Sequence, residues 1–356
     1  MKIIGIYRGF PGLGRVVAGV EIAEYFKNNH NADVKLFSYL QGEIYLKSKN
    51  YITDFEVKEQ DYSSIGIIPI SNYGEFLINQ IAEFNPDFII LDGEPLMTQC
   101  LKLIFPNIKI ICLLNPFDVE NPHNQPSSSK FLNNTYSQAD LSIVHGLWRV
   151  NANNDYDNLQ SINTIVRNEV LSIKGTNPRN KISCILGGGT INAKQSFIET
   201  SLSIAEKCVK MAEYLLDYEI HIFCSCDIID INNSQKLCNV FIHKNIENCK
   251  EYYLDSKLII SRAGRNTISE LLCLEIPSII IPIGDEFRAK EQMANAEKAQ
   301  QIGNGLITLL NQNMTVCELT DCCKQKINSE NYNANWKSGN EKAIDLILKL
   351  HKSDII

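Results

Sequence analysis

The sequence has no run of the roughly 20 apolar residues that a membrane-spanning helix requires. It also lacks the longer apolar region and the small-residue cleavage site of a signal peptide. Instead, the strand-like segment Lys2–Tyr7 leads directly into a glycine-containing loop. Both absences argue against an integral membrane protein or a secreted one. We therefore expect a cytoplasmic protein.

Positive charge is scarce as well. The chain has 34 Lys and Arg residues against 41 Asp and Glu residues, which gives a formal net charge of -7. Non-specific binding to nucleic acid needs a basic surface, so we expect no nucleic-acid partner. Low-complexity tracts are missing too, and a composition of 44% hydrophobic and 21% charged residues is that of a globular protein.

Metal-binding motifs are absent although the chain has 12 cysteines. There is no Cys-x-x-Cys pair, and Cys224-Ser225-Cys226 and Cys322-Cys323 lack the partners of a zinc site. Most cysteines lie in apolar runs, which favours reduced thiols used as small hydrophobic side chains. The Asp-x-Asp motif of a diphosphate-bound metal is also missing, because Asp227 and Asp230 have a different spacing. We expect neither a metal nor a cofactor.

The sequence does contain a repeated alternation of short β-branched runs and helical stretches, which is typical of βα repeats on a parallel sheet. A length of 356 residues fits two domains of about 150–200 residues each. A polar stretch with Gly and Pro interrupts the pattern after residue 172 and favours an interdomain linker. We predict an α/β protein with an N-terminal Rossmann-like domain over 1–172, a linker over 173–181, a C-terminal Rossmann-like domain over 182–335 and a helical tail over 336–356.

The alternation also predicts the individual elements. The expected strands are Lys2–Tyr7, Asp33–Tyr39, Ile65–Ile68, Asp87–Leu91, Ile108–Leu114, Leu141–Val144, Thr164–Arg167, Ile182–Leu186, Glu219–Cys224, Val240–His243, Lys257–Ser261 and Ser278–Ile283. The expected helices are Val16–Lys27, Tyr73–Phe84, Leu96–Ile104, Ser128–Tyr136, Phe197–Leu216, Cys249–Asp255, Asn266–Leu274, Lys290–Gln301 and Glu341–His351.

The most specific motif of the C-terminal half is the run Ser261–Leu272. A predicted strand ends at Ser261, and a turn with Gly264 opens a helix at about Asn266. Free amides at a helix start, together with the helix dipole, suit a phosphate. Glu270 falls one turn into this helix, where a carboxylate can accept two ribose hydroxyls. Arg262 and Arg265 fit a donor site or a salt-bridged surface equally well.

Two further polar motifs follow predicted strands. Gly187-Gly188-Gly189-Thr190 comes directly after a strand, and its amides and hydroxyl suit an anion, although a tight βα turn explains the glycines equally well. Glu291 and Gln292 fall near a predicted helix start, at the edge of the sheet where open α/β folds bind ligands. A helix N-cap is the alternative role for Glu291.

Together, the run Ser261–Leu272, the Leu-x-Ile-Pro stretch that ends at Pro277 and the run Glu291–Ala296 resemble the MurG-like family of glycosyltransferases. The motifs occur in the order and spacing of that family, and the resemblance covers about residues 182–310. The family adds N-acetylglucosamine from UDP-N-acetylglucosamine to a lipid-linked acceptor. The resemblance therefore implies the GT-B architecture, in which two Rossmann-like domains face each other across a cleft.

The resemblance also implies which residues bind a nucleotide-sugar donor. The diphosphate would face the glycine loop and the first amides of the Glu270 helix, Glu270 would hold the ribose, and Ile246 would contact the base through its backbone. Glu291 and Gln292 take the places of two sugar-binding glutamines, and the glutamate leaves the identity of the sugar open. The complete predicted donor site is Gly188, Gly189, Thr190, Ile246, Arg262, Gly264, Arg265, Asn266, Thr267, Glu270, Glu291 and Gln292.

The N-terminal half resembles the family more loosely. The loop Gly9–Gly19 resembles the first glycine loop of the family, but Arg15 stands where the family has a histidine. Gly12, Gly14 and Arg15 are candidates for binding the acceptor or a phosphate. Asp92 and Glu94 end a predicted parallel strand and are expected to point into the interdomain cleft, with a helix cap or a surface charge as the alternative.

We predict a glycosyltransferase that moves a hexose or N-acetylhexosamine from a UDP-sugar to an acceptor hydroxyl, with inversion and without a metal. Arg15 cannot act as the base, because a guanidinium stays protonated. The candidate bases are Glu94 first, Asp92 second and His123, in a polar loop, third. A nucleotide-sugar hydrolase or epimerase and a non-catalytic sugar-nucleotide binder remain alternatives. The acceptor and the oligomeric state are not predicted. A thymine or guanine base in place of uracil, and peripheral contact with the inner face of a membrane, stay open.

Overall fold

The structure is a computed structural model that describes residues 1–9, 13–51, 72–151, 155–175, 178, 180–187, 195–224, 237–244, 249–282, 286–329, 332 and 334–352. The chain divides into two compact units. Unit 1 contains Met1–Ile165 and Gly339–Ile356, and unit 2 contains Val166–Ser338.

Unit 1 is built on a parallel sheet of six strands in the order β2-β1-β3-β4-β5-β6. Its elements follow one another as β1 (Lys2–Tyr7), α1 (Gly14–His30), β2 (Asp33–Phe37), α2 (Gln41–Ser48), α3 (Asn72–Phe84), β3 (Phe88–Asp92), α4 (Pro95–Ile104), β4 (Lys109–Leu114), α5 (Pro116–Val119), α6 (Pro126–Tyr136), β5 (Leu141–Gly146) and β6 (Leu159–Asn163).

Unit 2 repeats this plan with a second parallel sheet in the order β12-β11-β10-β7-β8-β9. Its elements are α7 (Asn168–Leu171), β7 (Lys181–Gly187), α8 (Gln195–Met211), β8 (Glu219–Cys224), β9 (Val240–Lys244), α9 (Lys250–Tyr253), β10 (Ser256–Arg262), α10 (Arg265–Leu274), β11 (Ser278–Ile281), α11 (Glu286–Ile302), β12 (Ile307–Leu309) and α12 (Val316–Asn328). The last helix, α13 (Asn340–Lys352), belongs to unit 1.

Alternating side chains of the unit 1 strands pack into two cores, one on each face of the sheet. Ile4 and Ile89 face the core that includes α3, α4 and α6. Their neighbours Ile3 and Ile90 face the core that includes α1 and α13. Because helices cover both faces, a central strand such as β3 is buried along its whole length and reads as a continuous apolar run. The six-stranded parallel sheets of units 1 and 2 confirm the two Rossmann-like sheets predicted from the sequence.

One predicted strand was wrong. Thr164–Arg167 is not a strand, because the sixth strand of unit 1 is β6, which pairs with β5 immediately before it. Ile165 and Val166 are buried without joining the sheet, and the Ile165 amide donates to Nδ1 of His145 at 3.3 Å. Two adjacent apolar residues indicate that a segment is buried, but they do not indicate which part of the structure covers it. The predicted strand Ile65–Ile68 lies outside the described residues.

Six elements were not predicted, namely α2, α5, β6, α7, β12 and α12. The helix α2 has little apolar periodicity, and β12 is only three residues long. The helix α12 did carry a sequence signal, because Thr315 and Glu318 form a capping box at its start. Within the part of the chain that the structure describes, no helix is long and apolar enough to cross a membrane. The cysteines in those ranges are free, and most of them are buried.

Candidate functional site

The carboxyl edge of the unit 1 sheet holds a cluster of charged side chains. Arg15 lies in the first turn of α1, directly after β1 and its loop. Its Nη1 donates to Oδ1 of Asp92 at 2.8 Å and to Oδ2 of Asp118 at 3.0 Å, and its Nη2 donates to Oδ1 of Asp118 at 2.7 Å. Asp92 ends β3 and Asp118 lies in α5, just after β4. Parallel strands thus bring two carboxylates to one guanidinium at the edge where such folds bind ligands.

Arg15 and Asp118 are both charged at neutral pH. Burial alone lowers the pKa of Arg15, but the charges of Asp118 and Asp92 outweigh it and raise the pKa well above its ordinary value. Burial likewise raises the pKa of Asp118, but the Arg15 charge and its hydrogen bonds bring the pKa below the usual value. Asp118 was missed from the sequence. Its signal was a carboxylate soon after a parallel strand, the same signal that identified Asp92.

Glu94 lies beside this cluster but has different partners. Its Oε1 accepts a hydrogen bond from the Tyr39 hydroxyl at 2.9 Å and another from Nε of Arg8 at 3.3 Å. The Glu94 side chain is only 6% exposed. Burial raises the pKa of its carboxyl, and Arg8 and Tyr39 oppose that rise. A carboxyl with a raised pKa is a better proton acceptor than an ordinary carboxyl.

Gly93 separates the two carboxylates Asp92 and Glu94 and lets them diverge. Its φ of +86° is strained for residues with a Cβ. A Cβ at this position would also lie 2.7 Å from Cδ of Arg15 and 2.9 Å from Cβ of Arg8. The Asp-Gly-Glu sequence therefore turns the chain so that one carboxylate meets Arg15 and the next meets Arg8.

The other predicted residues of unit 1 are less closely connected. His123 is exposed in the loop between α5 and α6, where its amide donates to Oδ1 of Asn121 at 3.0 Å. Among the described residues, no hydrogen bond joins its side chain to the carboxylate cluster. Gly14 opens α1 beside Arg15. Gly12 lies outside the described residues.

In unit 2, the predicted phosphate-binding turn lies between β10 and α10. Gly264 is the N-cap of α10, and the helix begins at Arg265. The first turn of an α-helix presents backbone amides and the positive end of the helix dipole, a combination that favours an anion at the turn before α10. Arg265 is largely buried, and its Nε donates to Oδ1 of Asn266 at 3.3 Å. Arg262 is half-buried at the end of β10.

Glu270 is fully buried one turn into α10 and is held by two residues of unit 2. Nε of Arg167 donates to its Oε1 at 2.6 Å, and Nη2 of Arg167 donates to its Oε2 at 2.7 Å. The Tyr253 hydroxyl also donates to Oε2. Because a carboxylate oxygen accepts about two hydrogen bonds, one acceptor position remains, on Oε1.

Arg167 is the main residue of unit 2 that sequence reasoning missed. It precedes α7, which packs against α10. Burial lowers its pKa, but the Glu270 charge and hydrogen bonds raise it well above the ordinary value. In the sequence, Arg167 is visible only as an arginine after two apolar residues. That pattern does not indicate a partner about 100 positions later in the chain.

Glu291 and Gln292 lie on α11 and are half-buried. The helix begins at Glu286, so Glu291 stands more than one turn inside it and is not its N-cap. On the same helix, the buried Asn295 donates through Nδ2 to the Ala263 carbonyl at 3.4 Å, which ties α11 to the turn before α10. The predicted residues Gly188, Gly189, Thr190 and Ile246 lie outside the described residues, as do Asp227 and Asp230.

A cavity of about 430 Å³ in unit 2 lies away from these residues. Its lining includes Ser256, the first residue of β10, and Pro277, just before β11. These positions are at the amino ends of the strands, whereas open α/β sheets bind ligands at the carboxyl ends. None of the predicted donor residues lines this cavity. We therefore do not assign the donor to it.

The two parallel six-stranded sheets, with helices on their faces, define an α/β protein of the GT-B fold class. Residues 229–347 match the model of the Glycosyltransferase family 28 C-terminal domain. A curated relative, the UDP-N-acetylglucosamine--N-acetylmuramyl-(pentapeptide) pyrophosphoryl-undecaprenol N-acetylglucosamine transferase of Clostridium botulinum (strain Alaska E43 / Type E3), is 30% identical over 141 residues, which are 38% of this chain and 39% of the relative. The chain spans between about a fifth and two fifths of the length of such relatives.

Solved structures match over nearly the whole chain, although their sequences differ. MurG of Acinetobacter baumannii covers 98% of this chain and 100% of its own, with a TM-score of 0.59 and 15% identity. The UDP-GlcNAc 2-epimerase of Methanocaldococcus jannaschii, solved in complex with UDP-GlcNAc and UDP, covers 98% and 100%, with a TM-score of 0.60 and 13% identity. The resemblance to MurG-like GT-B glycosyltransferases predicted from the motifs is thus confirmed.

Proposed function

We propose that this protein is a glycosyltransferase that takes a sugar from a UDP-sugar and transfers it to an acceptor hydroxyl. The observation that carries the proposal is the family 28 match over residues 229–347, which contains the α10 turn and Glu270. The curated relatives are named as N-acetylglucosamine transferases of UDP-N-acetylglucosamine. A hexose or N-acetylhexosamine is accordingly the proposed sugar.

The donor diphosphate is proposed to bind at the start of α10. The backbone amides of the first turn of α10, from Arg265 to Thr267, and the positive end of the helix dipole would neutralise it. Arg262 and Arg265 would add positive charge, and Gly188, Gly189 and Thr190 are proposed to complete the phosphate site. Ile246 is proposed to contact the uracil through its backbone.

Glu270 is proposed to bind the ribose through the acceptor position left on Oε1. The side chain is fully buried, so the ribose reaches it only if a neighbouring side chain moves. Glu270→Gln keeps the shape of the side chain but weakens its hydrogen bonds, and we expect it to lower the affinity for UDP. Unchanged UDP affinity in a folded Glu270→Gln variant would exclude the ribose role. Glu291 and Gln292 are proposed to contact the transferred sugar.

The proposed reaction is a direct displacement at the anomeric carbon with inversion. A carboxylate of unit 1 removes the proton of the acceptor hydroxyl, while amides and cationic side chains of unit 2 stabilise the departing UDP in place of a metal. Glu94 is the proposed base because burial raises its pKa. Asp92 is less suited to this role, since its Oδ1 is paired with Arg15. The same pairing favours a structural role for Arg15 over binding of an anionic substrate.

The second candidate function is turnover of the nucleotide sugar itself, by hydrolysis or epimerisation. The similarity in fold to a UDP-GlcNAc 2-epimerase favours keeping this alternative, because the fold alone does not separate the two activities.

A thermal-shift panel of UDP-, GDP- and dTDP-sugars would identify the donor, followed by mass spectrometry of the products. UDP release that depends on an added acceptor supports the transferase. UDP and free sugar, or an isomer, formed without an acceptor support the alternative. Binding of the donor without any product supports a non-catalytic binder.

A further inference from the structure

The residues around Glu94 place its two carboxylate oxygens in different environments. Both described hydrogen bonds, from the Tyr39 hydroxyl and from Nε of Arg8, end on Oε1. Tyr39 follows β2 and Arg8 follows β1, so the donors come from two neighbouring strands of the sheet. Two donors on one oxygen fix the plane of the carboxyl group and leave Oε2 for other chemistry.

Further contacts hold the two hydrogen-bond donors, Tyr39 and Arg8, in place. Tyr39 is 2% exposed, and its ring packs edge to face with that of Tyr73, with 6.4 Å between the ring centroids. Burial and the nearby Glu94 charge raise the pKa of Tyr39 far above its ordinary value, so its hydroxyl stays a donor at any working pH. The Arg8 amide donates to the Asp92 carbonyl at 3.0 Å, which holds Arg8 beside the Asp-Gly-Glu turn.

We propose that Tyr39 and Arg8 are positioning residues that hold Oε1 of Glu94, so that Oε2 accepts the proton of the acceptor hydroxyl. This inference rests on the proposed role of Glu94 as the base. The proton passes from the acceptor oxygen to Oε2, the acceptor oxygen forms the new bond to the anomeric carbon, and the bond between that carbon and the UDP oxygen breaks.

The charges around Glu94 determine the direction in which each substitution shifts the Glu94 pKa. Burial raises its pKa, while Arg8, the Tyr39 hydrogen bond and the charge of Arg15 lower it. Tyr73 also faces this group, because the Glu94 charge helps to raise the pKa of the Tyr73 hydroxyl. Removing the Tyr39 hydroxyl or the Arg8 charge should therefore raise the pKa of Glu94 further.

The first experiment measures this pKa without relying on catalysis. In protein labelled with ¹³C at the glutamate carboxyl, the Glu94 signal is identified by its loss in Glu94→Gln and then titrated. We expect Tyr39→Phe to raise the Glu94 pKa by about one unit, the size that a hydrogen bond to a charged group implies. Arg8→Gln should shift it in the same direction.

The matched control is Tyr73→Phe, which removes a buried hydroxyl from the neighbouring ring but no hydrogen bond to Glu94. It should leave the Glu94 pKa within a few tenths of a unit. An equal pKa in wild type and Tyr39→Phe, or an equal shift in Tyr73→Phe, would overturn the proposal.

The second experiment follows kcat against pH, measured as UDP release from the UDP-sugar identified by the thermal-shift panel. The acidic limb of the profile should move to higher pH in Tyr39→Phe by the same amount as the carboxyl pKa, with the KM for the UDP-sugar unchanged. A shift in the carboxyl titration without one in the rate profile means that Tyr39 holds Glu94 but Glu94 is not the base. That result rejects the proposal and leaves the donor site of unit 2 unaffected.

Discussion

Arg167 donates hydrogen bonds to both oxygens of Glu270, at 2.6 and 2.7 Å, in a pair whose carboxylate is fully buried. Glu270 lies on α10, and Arg167 lies just before α7. Tyr253 completes the group by donating to the same carboxylate. A buried bidentate pair of this kind fixes the start of α10 relative to α7. It also determines how Glu270 can be tested.

Glu270→Ala should lower the free energy of unfolding by about 3–5 kcal/mol, because it leaves the buried Arg167 guanidinium without its partner. Urea unfolding of the variant measures this loss. The double variant Arg167→Met with Glu270→Leu removes both charges and should lose clearly less than Glu270→Ala alone. If the losses of Arg167→Met alone and of Glu270→Leu alone simply add in the double variant, the two side chains are not coupled.

UDP should slow amide hydrogen exchange in unit 2, most strongly at the first turn of α10, since backbone held by a ligand opens less often. Hydrogen exchange followed by mass spectrometry with saturating UDP measures the effect. Uridine, which lacks the diphosphate, should protect residues 265–267 much less. Protection restricted to unit 1 would contradict the assignment of the donor site.

Arg15→Met should lower the free energy of unfolding at neutral pH by about 3–5 kcal/mol, because Asp92 and Asp118 lose their shared partner. In the folded wild type the pKa of Asp118 is depressed, so its contribution is present above the unfolded pKa of about 3.9 and is lost as the pH falls through the folded value. The difference between wild type and Arg15→Met should therefore shrink on acidification.

Urea unfolding at several pH values measures this dependence. Lys47→Met is the control, because its pair with Glu43 at 2.6 Å is a surface i,i+4 pair and should be worth less than about 1 kcal/mol. If the difference in the free energy of unfolding between wild type and Arg15→Met stays constant with pH, Arg15 does not stabilise the fold through these carboxylates.

Glu94→Gln should lower kcat by about 10²–10⁴-fold, the usual contribution of a general base, without changing the affinity for UDP. Steady-state kinetics with the identified UDP-sugar and calorimetry with UDP measure the two quantities. The control is Glu83→Gln, which changes an exposed carboxylate of the same unit. A near-normal kcat in Glu94→Gln would direct the search to Asp92 and His123.

Turnover should not depend on a divalent metal, because amides, the α10 dipole and arginines are proposed to stabilise the departing diphosphate. Protein treated with EDTA should keep its full rate of UDP release. Loss of activity that magnesium or manganese restores would refute the metal-free mechanism.

The sequence by itself determined the parallel sheets, because continuous apolar strands and amphipathic helices are local patterns that a fold of this class must bury. It also determined the family resemblance, since the run Ser261–Leu272 is contiguous, and it identified Glu94 and Asp92 as carboxylates that follow a parallel strand. The error at Thr164–Arg167 arose because two apolar residues indicate burial without indicating whether a sheet or a loop buries them.

Only the tertiary structure decided which charges meet. Arg15 pairs with Asp118 across 103 positions, Arg167 pairs with Glu270 across another 103, and Glu94 meets Arg8 across 86. No local pattern carries such pairings, because they depend on which strands become neighbours and on how far each chain segment continues past the sheet edge. Burial then decides the chemistry, since the cost of removing each group from water sets its pKa and requires a partner that lies far away in the sequence.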